Sequence, residues 1–248
     1  MHLDAGRIGA VIRKELRDYR RKRSIVATMA ILPLVFLVQP VVDIFSVSAS
    51  TPVSVLDKDL SLPLLYLLLI PVIIPSTLAA YSVVGEREQG TLEPLLTTPI
   101  RKQEFIAGKA AAIMIPSLVL SYAVFGLYLA AVGLFAHRVV ATALFHQGPV
   151  LLALFLFAPL LAAWAVVVGL AVSVRTSDIR VAQQLGTLGS LPPLAVVALL
   201  AIGTIHPTFR VATIFAIGLL AVDVRALRIV SRMFDRERLV TGSKATSS

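Results

Sequence analysis

The stretch 85–109, GEREQGTLEPLLTTPIRKQEFIAGK, lies between two apolar runs, about Leu64 to Val84 and Ala110 to Phe135, each long enough to cross a bilayer. Seven ionisable side chains stand in its first twenty residues, beginning with the cluster Glu86, Arg87, Glu88. Gly90 and Thr91 follow, then a leucine-bearing piece (Leu92, Leu95, Leu96), then Thr98-Pro99. Thr91 suits the N-cap of a helix whose first turn holds Glu93 and Pro94. Proline there forfeits no intrahelical bond, and glutamate complements the positive end of the helix dipole. Pro99 stops that helix, because the residue before a proline is driven out of the α region. The stretch therefore reads as a short amphipathic helix held at a membrane surface. A plain solvated connection between two spans is the competing reading.

Composition sets the class. The chain has 248 residues, of which 57% are hydrophobic and only 15% charged, with a mean hydropathy of +0.88. Soluble domains carry about 25% charged residues, so this is an integral membrane protein, all-α, with a single membrane domain over residues 1–248. The net charge is +9. A basic balance can signal nucleic acid, but here the basic residues flank apolar spans without interleaved aromatics. They point to topology and anionic lipid, and no nucleic-acid partner is expected. There are no cysteines, so disulfides, thiol nucleophiles and cysteine-bound metals are excluded.

Residues 1–23 are polar and basic, with Ile8, Val11, Ile12, Leu16 and Tyr19 recurring at helical spacing. They predict an amphipathic helix lying in the cytoplasmic interface. The apolar run Ser24 to Val42 has 19 residues, longer than the roughly 7–15 of a signal-peptide core, and reads as an uncleaved first span. The fourth to sixth spans run from about Pro149 to Val174, Leu185 to Ile205 and Phe209 to Ile229. Each approaches the twenty residues that a hydrocarbon core of about 30 Å requires. In the sixth, Asp223, Arg225 and Arg228 predict a last stretch emerging among headgroups, where arginines snorkel. Short outer connections are expected at 43–63, 136–148 and 206–208, and a polar tail over 230–248.

Six spans place both termini on one side. Of 23 Lys and Arg, eight lie in the N-terminal segment, four in the 85–109 stretch, two in the 175–183 loop and six in the C-terminal segment from Arg225 onward. Only Lys58, Arg138 and Arg210 fall opposite. By the positive-inside rule the first side, with both termini and the 85–109 stretch, is cytoplasmic.

The chain carries no engine of its own. A phosphate-cradling P-loop needs G-x-x-x-x-G-K-[ST]; Gly108-Lys109 has Gln103 in place of the first glycine and Ala110 after the lysine. Ion coupling calls for an ionisable group near mid-membrane, whereas Asp43, Lys109, Asp223 and Arg225 all read as span-end residues. The four histidines sit in loops or at the terminus with no H-E-x-x-H pair, so neither a metal site nor a catalytic residue is expected. Prolines recur within the spans, and the pair Pro192-Pro193, after Gly186 and Gly189, is expected to break the fifth segment and line a translocation route. Ala165, Gly169 and Ser173 form a small-residue stripe suited to close helix packing.

The 85–109 stretch, together with Ile12-Arg13-Lys14-Glu15-Leu16 and Phe234-Asp235-Arg236-Glu237-Arg238-Leu239, resembles the membrane subunit of type-2 ATP-binding-cassette (ABC) exporters. The specific pattern covers about twenty residues, and the order of elements agrees over nearly the whole chain. The resemblance implies a permease subunit in the plasma membrane that forms the translocation pathway. Two copies of a separate ABC ATPase subunit would bind the ATP and Mg, and a second permease, identical or different, would complete the assembly. The N-terminal helix would contact the ATPase. The 85–109 stretch would be the coupling helix docking on it through Glu86, Arg87, Glu88, Gly90, Thr91, Leu92, Glu93, Leu95, Leu96 and Pro99. The leucines would fill a groove, and Glu86, Glu88 and Glu93 would pair with its basic rim. A hydrophobic or amphiphilic substrate such as a drug or lipid is expected. The alternatives are an ion-coupled secondary transporter and a non-transporting membrane scaffold.

Overall fold

A computed structural model of the chain describes residues 4–47, 63, 65–88, 90, 100–146, 148–201 and 209–233. Among these, all regular structure is helical: α1 (Ala5–Arg21), α2 (Arg23–Ser46), α3 (Ile70–Glu88), α4 (Lys102–Phe135), α5 (Arg138–His146), α6 (Gly148–Arg175), α7 (Ile179–Ala201) and α8 (Phe209–Met233).

The helix ends follow from side chains able to satisfy the orphan backbone groups there. Asp4 caps α1, accepting from the N–H groups of Gly6 at 2.8 Å and Arg7 at 3.4 Å. Lys22 is extended (φ −88, ψ 105) and is the single residue between α1 and α2. Asp178 accepts from the backbone of Arg180 and Val181 at 2.6 and 3.2 Å, so α7 begins earlier than its apolar run alone suggests. The short connection predicted at 136–148 contains the nine-residue helix α5.

Among the described residues, four helical stretches are long and apolar enough to cross a membrane: Arg23–Ser46, Leu65–Glu88, Gln103–Phe135 and Leu154–Arg175. They coincide with the first four predicted spans. The fifth and sixth predicted spans are also helices, α7 and α8, but α7 opens with Arg180, Gln183 and Gln184, and α8 carries Arg210, Asp223, Arg225 and Arg228.

Helix α3 is the centre of the bundle. It packs against α6 and α7, which also pack on each other, while α4 joins this trio to α1 and α2, and α8 lies on α6. In the apolar window of α3, 83% of residues are buried, against 22% in α2, whose Ile31, Leu34, Val35 and Val38 stay exposed as lipid-facing residues do. Lipid tails are as apolar as leucine, so close packing and interhelical hydrogen bonds hold such helices together. The Ala165–Gly169–Ser173 stripe of α6 supplies both against α3. A Cβ at Gly169 would come 2.6 Å from the Cβ of Ala79, and Ser173 Oγ donates to the carbonyls of Ala79 at 3.1 Å and Gly169 at 2.6 Å. The stripe is thus an internal seam.

Candidate functional site

Helix α1 does not lie free on the bilayer. Val11, Glu15 and Tyr19, spaced by four, share one face and are buried, so much of the apolar side expected to dip into lipid packs on the protein instead. Gly108 of α4 makes the close approach possible, since a Cβ there would come 2.7 Å from the side chain of Val11.

A carboxylate on that face needs a counter-charge, and Lys109 supplies it. Its side chain is 0% exposed. The ammonium donates to Glu15 Oε1 at 2.7 Å, Glu86 Oε2 at 2.7 Å and the Ser82 carbonyl at 2.6 Å, and lies 5.0 Å from the centre of the Phe105 ring. Lys14 bonds the other Glu86 oxygen and lies 3.3 Å from Asp18 at the rim. Two lysines thus balance two buried carboxylates, which is the condition under which burying charge is tolerable. Burial alone would raise the Glu15 pKa, but Lys109 and Lys14 outweigh it and hold the carboxyl below its ordinary range. Burial would likewise lower the Lys14 pKa, and Glu86 and Glu15 hold it up. Burial, then the Glu15 charge, pushes the Tyr19 phenol up.

One turn earlier on α4, Glu104 (1% exposed) ties down the start of α1. Its carboxylate accepts from the Asp4 and Arg101 backbones, each at 3.1 Å, and pairs with Arg7 at 3.5 Å. Arg87, half-buried, donates to the carbonyls of Thr176 at 3.1 Å and Val174 at 3.3 Å, closing the C-terminal end of α6. Gly90 adopts φ +66, a left-handed conformation that glycine takes without strain, as the chain leaves α3.

The predicted docking residues therefore divide. Glu86 and Arg87 are engaged within the chain, which differs from the expectation that Glu86 reaches a partner's rim. Glu88 and Gly90 are exposed. Thr91, Leu92, Glu93, Leu95, Leu96 and Pro99 lie outside the described residues, as does the stretch 234–239. What the structure adds is the base of the stretch: Lys109 at its end bridges Glu86 at its start to Glu15 of α1.

The proline pair behaves differently from expectation. Helix α7 runs through Pro192 and Pro193 without a break. Pro193 leaves the carbonyl of Gly189 without its intrahelical donor, and the indole N–H of Trp164 donates to it at 3.0 Å. Asp223, expected among headgroups, is instead 4% exposed within α8, and neither carboxylate oxygen has a hydrogen-bond partner among the described residues.

An apolar helical bundle with four spanning-length helices and a basic end is a polytopic membrane protein. The sequence pattern of the ABC-2 family transporter proteins matches residues 9–234, and the chain belongs to that family. A comparison with curated proteins returns no match.

Proposed function

We propose that this chain is the permease subunit of an ATP-driven exporter. It would cross the plasma membrane six times, with α7 and α8 as the fifth and sixth spans and both termini cytoplasmic. It would form the translocation pathway for a hydrophobic or amphiphilic compound, as one membrane domain with residues 1–23 and 230–248 at the cytoplasmic face. ATP and Mg would be held by two copies of a partner ABC ATPase, this chain having no nucleotide site, and a second permease subunit would complete the pathway.

Family membership gives the class; the observation that supports coupling is the buried grip of Lys109 on Glu86 and Glu15 at the base of the 89–101 connection. A connection that receives force needs a stiff footing, whereas a solvated linker does not. Glu88, Glu93 and the leucines Leu92, Leu95 and Leu96 would make the contact.

The test is co-purification of the tagged protein from its own membranes in mild detergent. A P-loop ATPase should co-elute in stoichiometric amount and be lost when Leu95 and Leu96 are replaced by Glu, with membrane insertion intact. Undiminished co-elution from that variant would end the docking assignment.

A second reading, the ion-coupled carrier, gains one observation: the buried carboxyl of Asp223. Flux that persists without ATP and collapses with the ion gradient would favour it.

A further inference from the structure

We infer that Lys109 is a positioning residue that bolts α1 to both feet of the 89–101 connection, so that displacement of the connection carries α1 with it. This rests on the docking reading above and adds an output path to it. Beside α3 and α4, the motion would reach α1 and, through the one-residue joint at Lys22, the first span.

The contacts are arranged for this. Along α4 the residues Glu104, Gly108 and Lys109 meet, in order, Asp4 with Arg7, then Val11, then Glu15. Helix α1 is therefore held along its length and not at one point. The ammonium reaches α1 through Glu15 and α3 through Glu86 and the carbonyl and hydroxyl of Ser82, while Lys109 itself belongs to α4. As mere adhesive this would be a poor choice, because a buried ion cluster is often no more stabilising than apolar side chains of the same volume. What it supplies is a fixed geometry among three helices, and strong disfavour for any arrangement that parts them. The joint at Lys22 is extended and bears no side-chain cap, so α1 can swing against α2 while remaining fixed to α4.

The experiment uses the full chain in nanodiscs of mixed phosphatidylglycerol and phosphatidylcholine. The chain has no native cysteine, so spin labels at Arg17→Cys on α1 and Leu134→Cys at the far end of α4, both exposed, are unique. Pulsed electron resonance should give one narrow distance. Lys109→Met should lose it, and so should E15Q/E86Q/K109M, which keeps the volume and removes the charge. Lys109→Arg, which keeps a cationic donor among Glu15, Glu86 and the Ser82 carbonyl, should retain it. In the co-purified ATPase complex, the distance from Arg17→Cys on α1 to an exposed label at Val38→Cys on α2 should shift with ATP in the parent and not in the neutral triple variant, while the Arg17–Leu134 distance stays fixed in the parent. A single narrow distance retained in both Lys109→Met and the neutral triple overturns the clasp. A full ATP-driven shift in the neutral triple overturns the transmission role. Absence of any co-purifying ATPase overturns transmission through the docking reading, and the nucleotide-free distance then separates that failure from a failure of the clasp.

Discussion

Trp164 stands in for a missing backbone donor: its indole N–H lies 3.0 Å from the carbonyl of Gly189, which Pro193 leaves unpaired four residues later. The proline and the tryptophan, on neighbouring helices, form one functional unit. Trp164→Phe should therefore cost on the order of 1 kcal/mol, the range found for hydrogen bonds between membrane helices. In a Pro193→Ala background, where the backbone donor is restored, the same change should cost markedly less. Thermal unfolding of the four proteins of this cycle in one detergent gives the coupling directly; a coupling of zero would refute the pairing.

The same relation recurs at Pro159, whose freed acceptor is the carbonyl of Phe155. Tyr122 Oη donates to it at 3.1 Å, and the Tyr122 and Phe155 rings stack with centroids 5.4 Å apart. Tyr122→Phe keeps the stacking and removes only the donor. It should destabilise by about 0.6–1.7 kcal/mol and become neutral in a Pro159→Ala background, read by the same unfolding measurement.

Helix spacing makes a sharper demand at Gly169 than at other glycines. Gly169→Ala sets a methyl 2.6 Å from the Cβ of Ala79, and should cost about 1–3 kcal/mol as an overpacked contact. Ala79→Gly in the same chain should recover most of this. Gly218→Ala meets nothing within 4 Å and should leave the unfolding temperature unchanged or raise it, since alanine favours the helix.

The clasp on α1 has a defined pH window. Glu15 is held below its ordinary 4.5, so its contribution is present above that value and lost as pH falls through the lower, folded one. Lys14 is held above its ordinary 10.5, so its contribution is complete below that value and lost as pH rises through the higher one. Between these limits α1 should stay docked. A label at Arg17→Cys should show constant restricted motion across neutral pH and become mobile in acid, whereas Lys109→Met should be mobile already at neutral pH. Equal mobility in both at neutral pH would exclude Lys109 as the anchor.

The fold was largely legible in the sequence because apolar run length decides where a span lies: Ser24 to Val42 and Pro149 to Val174 fall within α2 and α6. The boundaries were less so. Asp178 extends α7, and α5 forms in what composition marks as a loop, because capping and short helices leave weak signals in hydropathy. The candidate site was half legible. The polar stretch and its charged start stand out in the sequence, yet the bond of Glu86 to Lys109 does not, since these two and the third member Glu15 are joined only by tertiary structure. One signal was available: Glu15 shares a face with Val11 and Tyr19, and a carboxylate on a buried face needs a cation. The continuity of α7 through Pro192 and Pro193 was not legible at all, because the donor that steadies it belongs to another helix.

The separation of Glu15 and Lys109 along the chain, 94 residues, also orders its synthesis. A ribosome delivers Glu15 and the first span long before the lysine that neutralises the carboxylate has been made, so α1 cannot lock until the third apolar segment reaches the membrane. Docking of α1 therefore waits until the chain has been made through residue 109 of 248, after two apolar segments have already left the ribosome.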